Sequence, residues 1–581
     1  MRILLTTLNS KFIHSNLALR YLKDSLNHLP ITSITDEFTI NDHMEKIVGN
    51  IYRHRPDIIG LSCYIWNIEE TLMVVESLKE VLPDLIVILG GPEVSFDSVS
   101  LMEGSPKIDI IVKGEGEVTF PLLIERLISD KPLDHVEGLT FRKAGAIKEN
   151  PDREPIRDLD TIPFPYGDDF EDLDNRIIYY ETTRGCPFQC QYCLSSVSQG
   201  VRYLSLDRVK EDIKTFIDAG IPQVKLVDRT FNCNPNRARE IFEMIMEVGG
   251  NTNFHFEMCG DLLDAETLDL LKDAPPGLFQ FEIGVQSTRE ETLEIIKRKT
   301  DFDRLSERVK TLRGYRNIHL HLDLIAGLPG EDYLSFRNSF NDVYELRPDR
   351  LQLGFLKLLK GSGIRINAQD WGYKFLSHTP YEVLENRDIS YDQVLVLKDV
   401  EELVEKYYNT HRYTNSLEYL GRHFGGDYYA LYEDFAGYWR DRGYTELSHS
   451  LIRHYEILVE YGLGIDGVDG DYFKDLVRLD YASQGKPSRY PEGIDVVIDE
   501  EKKEWVRSFF NNRENISRYL PHLAQYTPSQ ISRMAHIEFF DCEVAGNKDT
   551  SGSDRNPTII LFDYNISNKL FKKSKLTRLK A

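Results

Sequence analysis

The sequence predicts an α/β fold in three parts: a doubly wound parallel sheet, a partial (β/α)6 TIM-type barrel, and a mainly helical C-terminal domain. Three observations predict it. Short apolar segments alternate with amphipathic stretches from residue 2 to 112, as in a parallel sheet covered by helices on both faces. A second series of six such segments runs from 177 to 356, and the alternation stops near residue 375. At 581 residues the chain is too long for a single core. The expected boundaries are 1–140 for the first domain, 141–175 for a linker, 176–372 for the barrel and 373–581 for the helical domain.

Taken in order, strands are expected at 2–8 (RILLTTL), 34–40, 57–62 (DIIGLS), 85–89 (LIVIL) and 108–112, with helices at 15–26, 44–54 and 68–81. The fourth strand ends in Gly90-Gly91-Pro92-Glu93-Val94-Ser95. The fifth ends in Lys113-Gly114-Glu115-Gly116-Glu117. Ligands bind such sheets beyond the carboxyl ends of the strands, where glycines let the backbone approach closely. No G-x-G-x-x-G follows the first strand, so a dinucleotide site is poorly supported. Asp158–Tyr166 (DLDTIPFPY), with two prolines, reads as an extended crossover.

Barrel strands are expected at 177–182, 223–227, 253–258, 278–285, 318–325 and 350–356, with helices at 206–219, 236–248, 290–297 and 302–315. Barrel chemistry is placed at the carboxyl ends of the strands. The first of these ends carries Arg184-Gly185-Cys186-Pro187-Phe188-Gln189-Cys190-Gln191-Tyr192-Cys193. Three of the seven cysteines thus lie within eight residues, spaced C-x3-C-x2-C. Three thiolates on one short loop can hold three irons of a cubane cluster. Such a cluster normally takes four cysteines, so one iron would be open to a chelating molecule. The competing readings are a zinc loop and three unrelated buried cysteines. Zinc usually takes paired C-x2-C spacings with a fourth ligand, and no matching pair lies nearby.

At these residues the chain resembles the radical S-adenosylmethionine (SAM) enzymes. The resemblance covers about the first two-thirds of the chain. It implies that Cys186, Cys190 and Cys193 ligate a 4Fe-4S cluster whose open iron binds SAM, with one electron then giving a 5′-deoxyadenosyl radical. It implies SAM contacts at Tyr192, Asp228, Thr230, Glu257, Glu282, Gln286, Ser287 and Arg298. Arg298 would pair the methionine carboxylate, a task suited to guanidinium, or else be a surface arginine. Glu257 has a structural alternative. Asp228-Arg229-Thr230 stands where many members carry Gly-Gly-Glu. Cys233 and Cys259 also lie near strand ends, where a small buried hydrophobe is the usual role.

GGPEVS and VKGEGE resemble the Rossmann-like cobalamin (B12)-binding domain that precedes many radical SAM barrels. The resemblance implies cobalamin contacts at Asn9, Ser62, Gly90, Gly91, Pro92, Glu93, Gly114, Glu115, Gly116 and Glu117. The D-x-H-x-x-G that supplies a lower cobalt ligand is absent. The chain has Asn9-Ser10-Lys11-Phe12-Ile13-His14, and His14 is expected at a helix start. Cobalamin without a histidine below the cobalt is expected. In the C-terminal part helices are expected at 394–408, 417–440 and 447–461, and short apolar runs at 536–540 and 558–562 are expected to pair as strands around a polar, mobile loop at 546–557. That part resembles the uncharacterised domain of one cobalamin-dependent radical SAM subgroup.

The implied function is a cobalamin-dependent radical SAM enzyme, a methyltransferase on an unactivated carbon acting through the radical and methylcobalamin. The rivals are a non-methylating cyclisation, rearrangement or oxidation, and a non-catalytic cobalamin- or metal-binding sensor. A methylthiotransferase would need a second cysteine set in the N-terminal domain, where only Cys63 stands.

Lys+Arg total 70 against Asp+Glu 94, a net charge of −24, which disfavours nucleic acid as a partner. A small-molecule or peptide substrate fits, with a low-potential donor such as flavodoxin or ferredoxin. No apolar run approaches the roughly 18 residues of a membrane span. The start MRILLTTLNSKF lacks signal-peptide features, so the cytoplasm is the expected location. The basic tail, Lys569–Lys580, reads as a frayed end.

Overall fold

In the computed structural model of the chain, the described residues are all except 168–169, 171–172, 174–175, 198–199, 495, 497–498, 545–556, 566–573 and 581. Two compact units result. One comprises residues 1–320, 325–332 and 354–390; the other comprises 321–324, 333–353 and 391–581.

The first unit begins with a sheet of seven strands. These are β1 (Arg2–Asn9), β2 (Thr32–Thr39), β3 (Ile58–Ser62), β4 (Ile86–Gly90), β5 (Ile110–Val112), β6 (Leu139–Lys143) and β7 (Ala146–Glu149), ordered β2-β1-β3-β4-β5-β6-β7. The first five are parallel, as the alternation predicts. β6 and β7 form an antiparallel hairpin that extends the sheet across the expected 140/141 boundary. Side chains alternate between two cores. Ile3, Leu5, Ile58 and Ile88 face one, and Leu4, Leu8, Ile59 and Leu89 the other. Helix Met44–His54 buries Ile47 and Ile51, four residues apart on one face.

The barrel strands are β8 (Ile178–Tyr180), the hairpin β9 (Thr183–Cys186) and β10 (Gly200–Tyr203), β11 (Gln223–Leu226), β12 (Asn253–Met258), β13 (Phe279–Gln286), β14 (His319–Ala326) and β15 (Arg350–Phe355). Six form one sheet, ordered β15-β14-β13-β12-β11-β8. The period of two sorts the strands by face. Phe256, Phe279 and Phe281 surround Phe242 on the helix side. Lys225, His255, Glu257 and Glu282 share the other. The β9–β10 hairpin is an element the apolar pattern does not announce, because its strands, TRGC and GVRY, carry little apolar content.

The second unit is mainly helical. Residues 417–440, expected as one helix, form two, Thr414–His423 and Tyr428–Asp441. Gly425 and Gly426 break them at φ 65° and 87°. The apolar runs at Ala535–Phe540 and Thr558–Asp563 pair as strands, as expected. The tail differs from the frayed end expected: Lys575–Leu579 pairs with Thr558–Asp563 and buries Leu579. The backbone donors and acceptors of that pairing, with one apolar anchor, outweigh the tail's charge. Much of the loop expected at 546–557, and residues 569–573 of the tail, lie outside the described residues.

His454 sits among Tyr407, Trp439 and His449. Burial, then the charges of Lys406, His449 and Arg412, push its pKa down to about 4. Only the unfolded chain then takes up a proton as the pH falls from the ordinary histidine range towards 4, so stability is lost over that window and untouched above it. His454→Phe is therefore expected to flatten the fall of the second unit's thermal midpoint with acid, read against wild type, with no loss at pH above 7.

Candidate active site and cofactor-binding loops

The cysteine loop hangs from the β9–β10 hairpin. Gly185 pairs with Val201 at φ +95°, and a Cβ there would lie 2.1 Å from the Gly200 carbonyl oxygen. Gly185→Ala is accordingly expected to displace Cys186, seen as loss of iron from the purified protein. Downstream, Cys193 N–H donates to Cys190 O at 3.1 Å. Gln191 N–H donates to Ile296 O, and Ile364 N–H to Gln191 O, each at 2.9 Å. Cys186, Cys190 and Cys193 are free thiols. Cys186 Sγ lies 3.6 Å from Thr230 Oγ1, so Thr230 reaches the loop. Burial raises the Cys190 thiol, and Arg298 opposes it.

Arg298 and Tyr192 meet. Arg298 Nη1 donates to the Tyr192 hydroxyl at 3.1 Å, and Nη2 donates to Gly284 O. Arg298 Nε is buried with no hydrogen-bond partner among the described residues. A buried, unmatched guanidinium donor beside the cysteine loop fits an anionic ligand. It removes the surface-arginine alternative. Gln286 ends β13 at φ +73°, unusual for a residue with a side chain, and its amide lies over Gly284.

Other predicted contacts are held by protein groups. Asp228 is fully buried. It accepts from Thr182 N–H at 3.0 Å, Thr182 Oγ1 at 2.6 Å and Thr183 Oγ1 at 2.7 Å. It thus ties β11 to the approach of the cysteine loop. Burial raises its pKa, against those hydrogen bonds. Ser287 Oγ donates to buried Glu331 at 2.6 Å. Glu282 takes Lys225 Nζ at 3.0 Å and His255 Nε2 at 2.8 Å, and Glu257 lies 4.0 Å from the same lysine. Cys259 Sγ donates to Asp261 Oδ1, and Cys233 Sγ lies by the Tyr203 hydroxyl.

At the first sheet, Gly91 (φ +112°) passes Cys63 so closely that a Cβ would lie 2.4 Å from its carbonyl oxygen. Gly90 and Pro92 flank Gly91, and in the next loop Gly114 (φ +71°) faces open space. Gly116 opens a helix, where a Cβ would lie 3.0 Å from Leu22 Cδ2. Asn9 Nδ2 donates to Glu37 at 2.7 Å. Ser62 O accepts from buried Asn67 at 3.1 Å. His14 is not at a helix start: Asn16 caps the helix Leu17–Ser25, and His14 Nδ1 is 2.6 Å from the Tyr179 hydroxyl.

The acidic residues of these loops join the first sheet to the barrel. Glu93 pairs with Lys360 at 3.2 Å and accepts from Tyr381. Glu115 takes both ends of Arg202, at 2.5 and 3.0 Å, and the Ile156 N–H at 2.7 Å. Arg184 binds Glu117 and Glu181, with Tyr21 under its guanidinium. Sequence reasoning missed Arg184, Arg202, Glu181, Lys225 and His255. His255 is visible in the N-F-H-F-E-M alternation and Lys225 in Q-V-K-L; the others carry no local signal.

Comparison with known families agrees with this order of parts. Residues 3–124 match the B12 binding domain, 180–343 the radical SAM superfamily, and 369–562 a protein family of unknown function, DUF4080. The chain is 28% identical over 312 residues to the cobalamin-dependent radical SAM methyltransferase TokK of Streptomyces tokunonensis, covering 50% of this chain and 45% of that one. It is 25% identical over 323 residues to the anaerobic magnesium-protoporphyrin IX monomethyl ester cyclase of Cereibacter sphaeroides, covering 52% of each. The structure of TsrM from Kitasatospora setae, with cobalamin and a 4Fe-4S cluster, has a TM-score of 0.56 at 18% identity, covering 66% of this chain and 82% of that one. The chain spans about half to two thirds of the length of the curated relatives it matches.

In order, the chain carries a B12 binding domain, a radical SAM domain and a C-terminal DUF4080 region. The cofactors of these domains are SAM, a 4Fe-4S cluster and cobalamin. The three free thiols on one loop and the unmatched Arg298 Nε fit the first two. Gly114, with open space at its Cβ position beyond the end of β5, fits the third. No helix among the described residues is long and apolar enough to cross a membrane.

Proposed function

We propose that the chain is a cobalamin-dependent radical SAM methyltransferase that adds a methyl group to an unactivated carbon of a small-molecule or peptide substrate. The observation that carries the reading is the cysteine loop set beside Arg298, in a unit that also holds the B12-binding sheet. When bound, the cofactors supply the radical and the methyl group. Cys186, Cys190 and Cys193 hold the cluster and leave one position open. Arg298 Nε and Tyr192 receive the SAM carboxylate and adenine. Gln286 presents its amide towards the ribose. Glu257 and Glu282, steadied by Lys225, line the barrel face towards substrate. Thr230 and Asp228 keep the loop seated. Gly90, Gly91 and Gly114 let the backbone lie against the corrin, with Asn9, Ser62, Pro92 and Gly116 around it. A low-potential carrier supplies the electron.

The cyclase relative supports a second reading, in which no methyl group is transferred. Product mass separates them. The proposed function requires 5′-deoxyadenosine and a product heavier by one CH2. A product of unchanged or lower mass would support cyclisation or oxidation, and absence of 5′-deoxyadenosine a sensor.

A further inference from the structure

The Gly90-Gly91 turn and the cysteine loop are gripped by opposite ends of one short segment. Lys360-Gly361-Ser362-Gly363-Ile364 follows β15 and lies in the first unit. At its start, Lys360 Nζ pairs with buried Glu93 at 3.2 Å and lies 3.8 Å from Asp97. Gly361, at φ +82°, passes Phe96 so closely that a Cβ would lie 2.4 Å from the ring. Glu93, Phe96 and Asp97 all belong to the stretch that leaves the Gly90-Gly91 turn. At the other end, a Cβ on Gly363 would lie 2.3 Å from Gln191 Oε1. Ile364 N–H donates to Gln191 O at 2.9 Å. Gln191 stands between Cys190 and Cys193.

The segment is braced along its length. Ser362 is fully buried. Its hydroxyl donates to Leu359 O at 2.7 Å and accepts from Arg365 N–H at 3.3 Å. Arg365 Nη1 donates back to Leu358 O at 2.8 Å. The Arg365 guanidinium lies 4.7 Å over Tyr381, whose hydroxyl donates to Glu93. A packed, hydrogen-bonded turn passes a displacement on instead of absorbing it. Separating the partners of a largely buried ion pair is costly, so the Glu93 turn and the segment move as one. Arg184 ties the other glycine loop, at Glu117, to the start of the cysteine loop. The segment from Lys360 acts further on, between two of the thiols.

We propose that Lys360 is a positioning residue that sets the cysteine loop against the Gly90-Gly91 turn, so that filling the cobalamin site tightens the SAM site. The inference rests on the two cofactor sites of the proposed function. Lys360 touches no thiol; it acts through Glu93 on one side and through Gly363, Ile364 and Gln191 on the other. A turn held in place by a bound corrin holds the segment in place, and the segment holds the peptide between Cys190 and Cys193. Coupling between two binding sites is reciprocal, so SAM must tighten cobalamin by the same factor.

Equilibrium dialysis of the cluster-loaded, unreduced protein tests this, with the Kd of SAM measured with and without cobalamin and that of cobalamin with and without SAM. In wild type each is expected to tighten the other about fivefold or more. Lys360→Met should bring that factor to about one and leave the SAM Kd of the cobalamin-free protein unchanged. Lys360→Arg should recover part of it, since the charge is kept but its point-like head is not. Tyr381→Phe removes one donor to Glu93 and keeps the ring, and is the milder variant if Lys360→Met unfolds; a factor of about two is expected. The paramagnetic resonance spectrum of the reduced cluster should respond to added cobalamin in wild type and not in Lys360→Met. Coupling retained in Lys360→Met and Tyr381→Phe would overturn the proposal. So would a wild type that binds both cofactors independently, or an equal loss of SAM affinity with and without cobalamin, which would make Lys360 a plain support of the loop. Wild type that holds iron but takes up no corrin would instead sink the two-cofactor reading, and this inference with it.

Discussion

Replacing Cys186, Cys190 or Cys193 by Ala is expected to abolish 5′-deoxyadenosine formation from SAM and to strip most of the iron. The three thiols sit on one loop whose turn is fixed at Gly185 and whose far side is pinned to Ile296 and Ile364. No neighbouring cysteine is placed to substitute. Cys259 is 5% exposed with its thiol on Asp261. Cys233 is held by the Tyr203 hydroxyl. Cys233→Ala and Cys259→Ala are therefore expected to keep their iron. Iron and sulfide assays, with chromatography of SAM products under dithionite, check all five. A triple Cys→Ala variant that still cleaves SAM reductively would overturn the assignment of the loop.

The second large effect is expected at Arg184. Its side chain is 12% exposed, and those of its partners Glu117 and Glu181 are 12% and 14% exposed. Arg184→Met would leave two carboxylates in a largely dry site. Burial already raises the pKa of Glu181 against the pull of Arg184. Removing one partner of a buried pair costs about 3–5 kcal/mol. Arg184→Lys restores the charge but not the two-sided fork, and should recover only part of that loss. Denaturant unfolding of the first unit reads both. A loss below about 1 kcal/mol for Arg184→Met would mean that the pair behaves as a solvated surface contact.

The parallel sheet, the six barrel strands and the cysteine loop are legible in the sequence because their signals are local: apolar periodicity, glycines at strand ends and C-x3-C-x2-C. The carboxylates are legible as loop residues but not as partners. Glu117 and Arg184 are 67 residues apart, and Glu115 and Glu117, expected at cobalamin, also make ion pairs with the barrel. Asp228 and Ser287 tell the same story, since each sits at the expected strand end but spends its oxygens on Thr182, Thr183 or Glu331. The tail strand at Lys575–Leu579 is hidden because its five residues carry as many charges as apolar side chains, while its pairing depends on Thr558–Asp563.

The central claim is that one chain holds both a cluster and cobalamin. It is tested most directly by purifying the protein anaerobically from cobalamin-supplied cells and measuring iron, sulfide and the visible spectrum of released corrin. About four irons and one corrin per chain are expected. Iron without corrin after refolding with cobalamin, or zinc in place of iron, would contradict it.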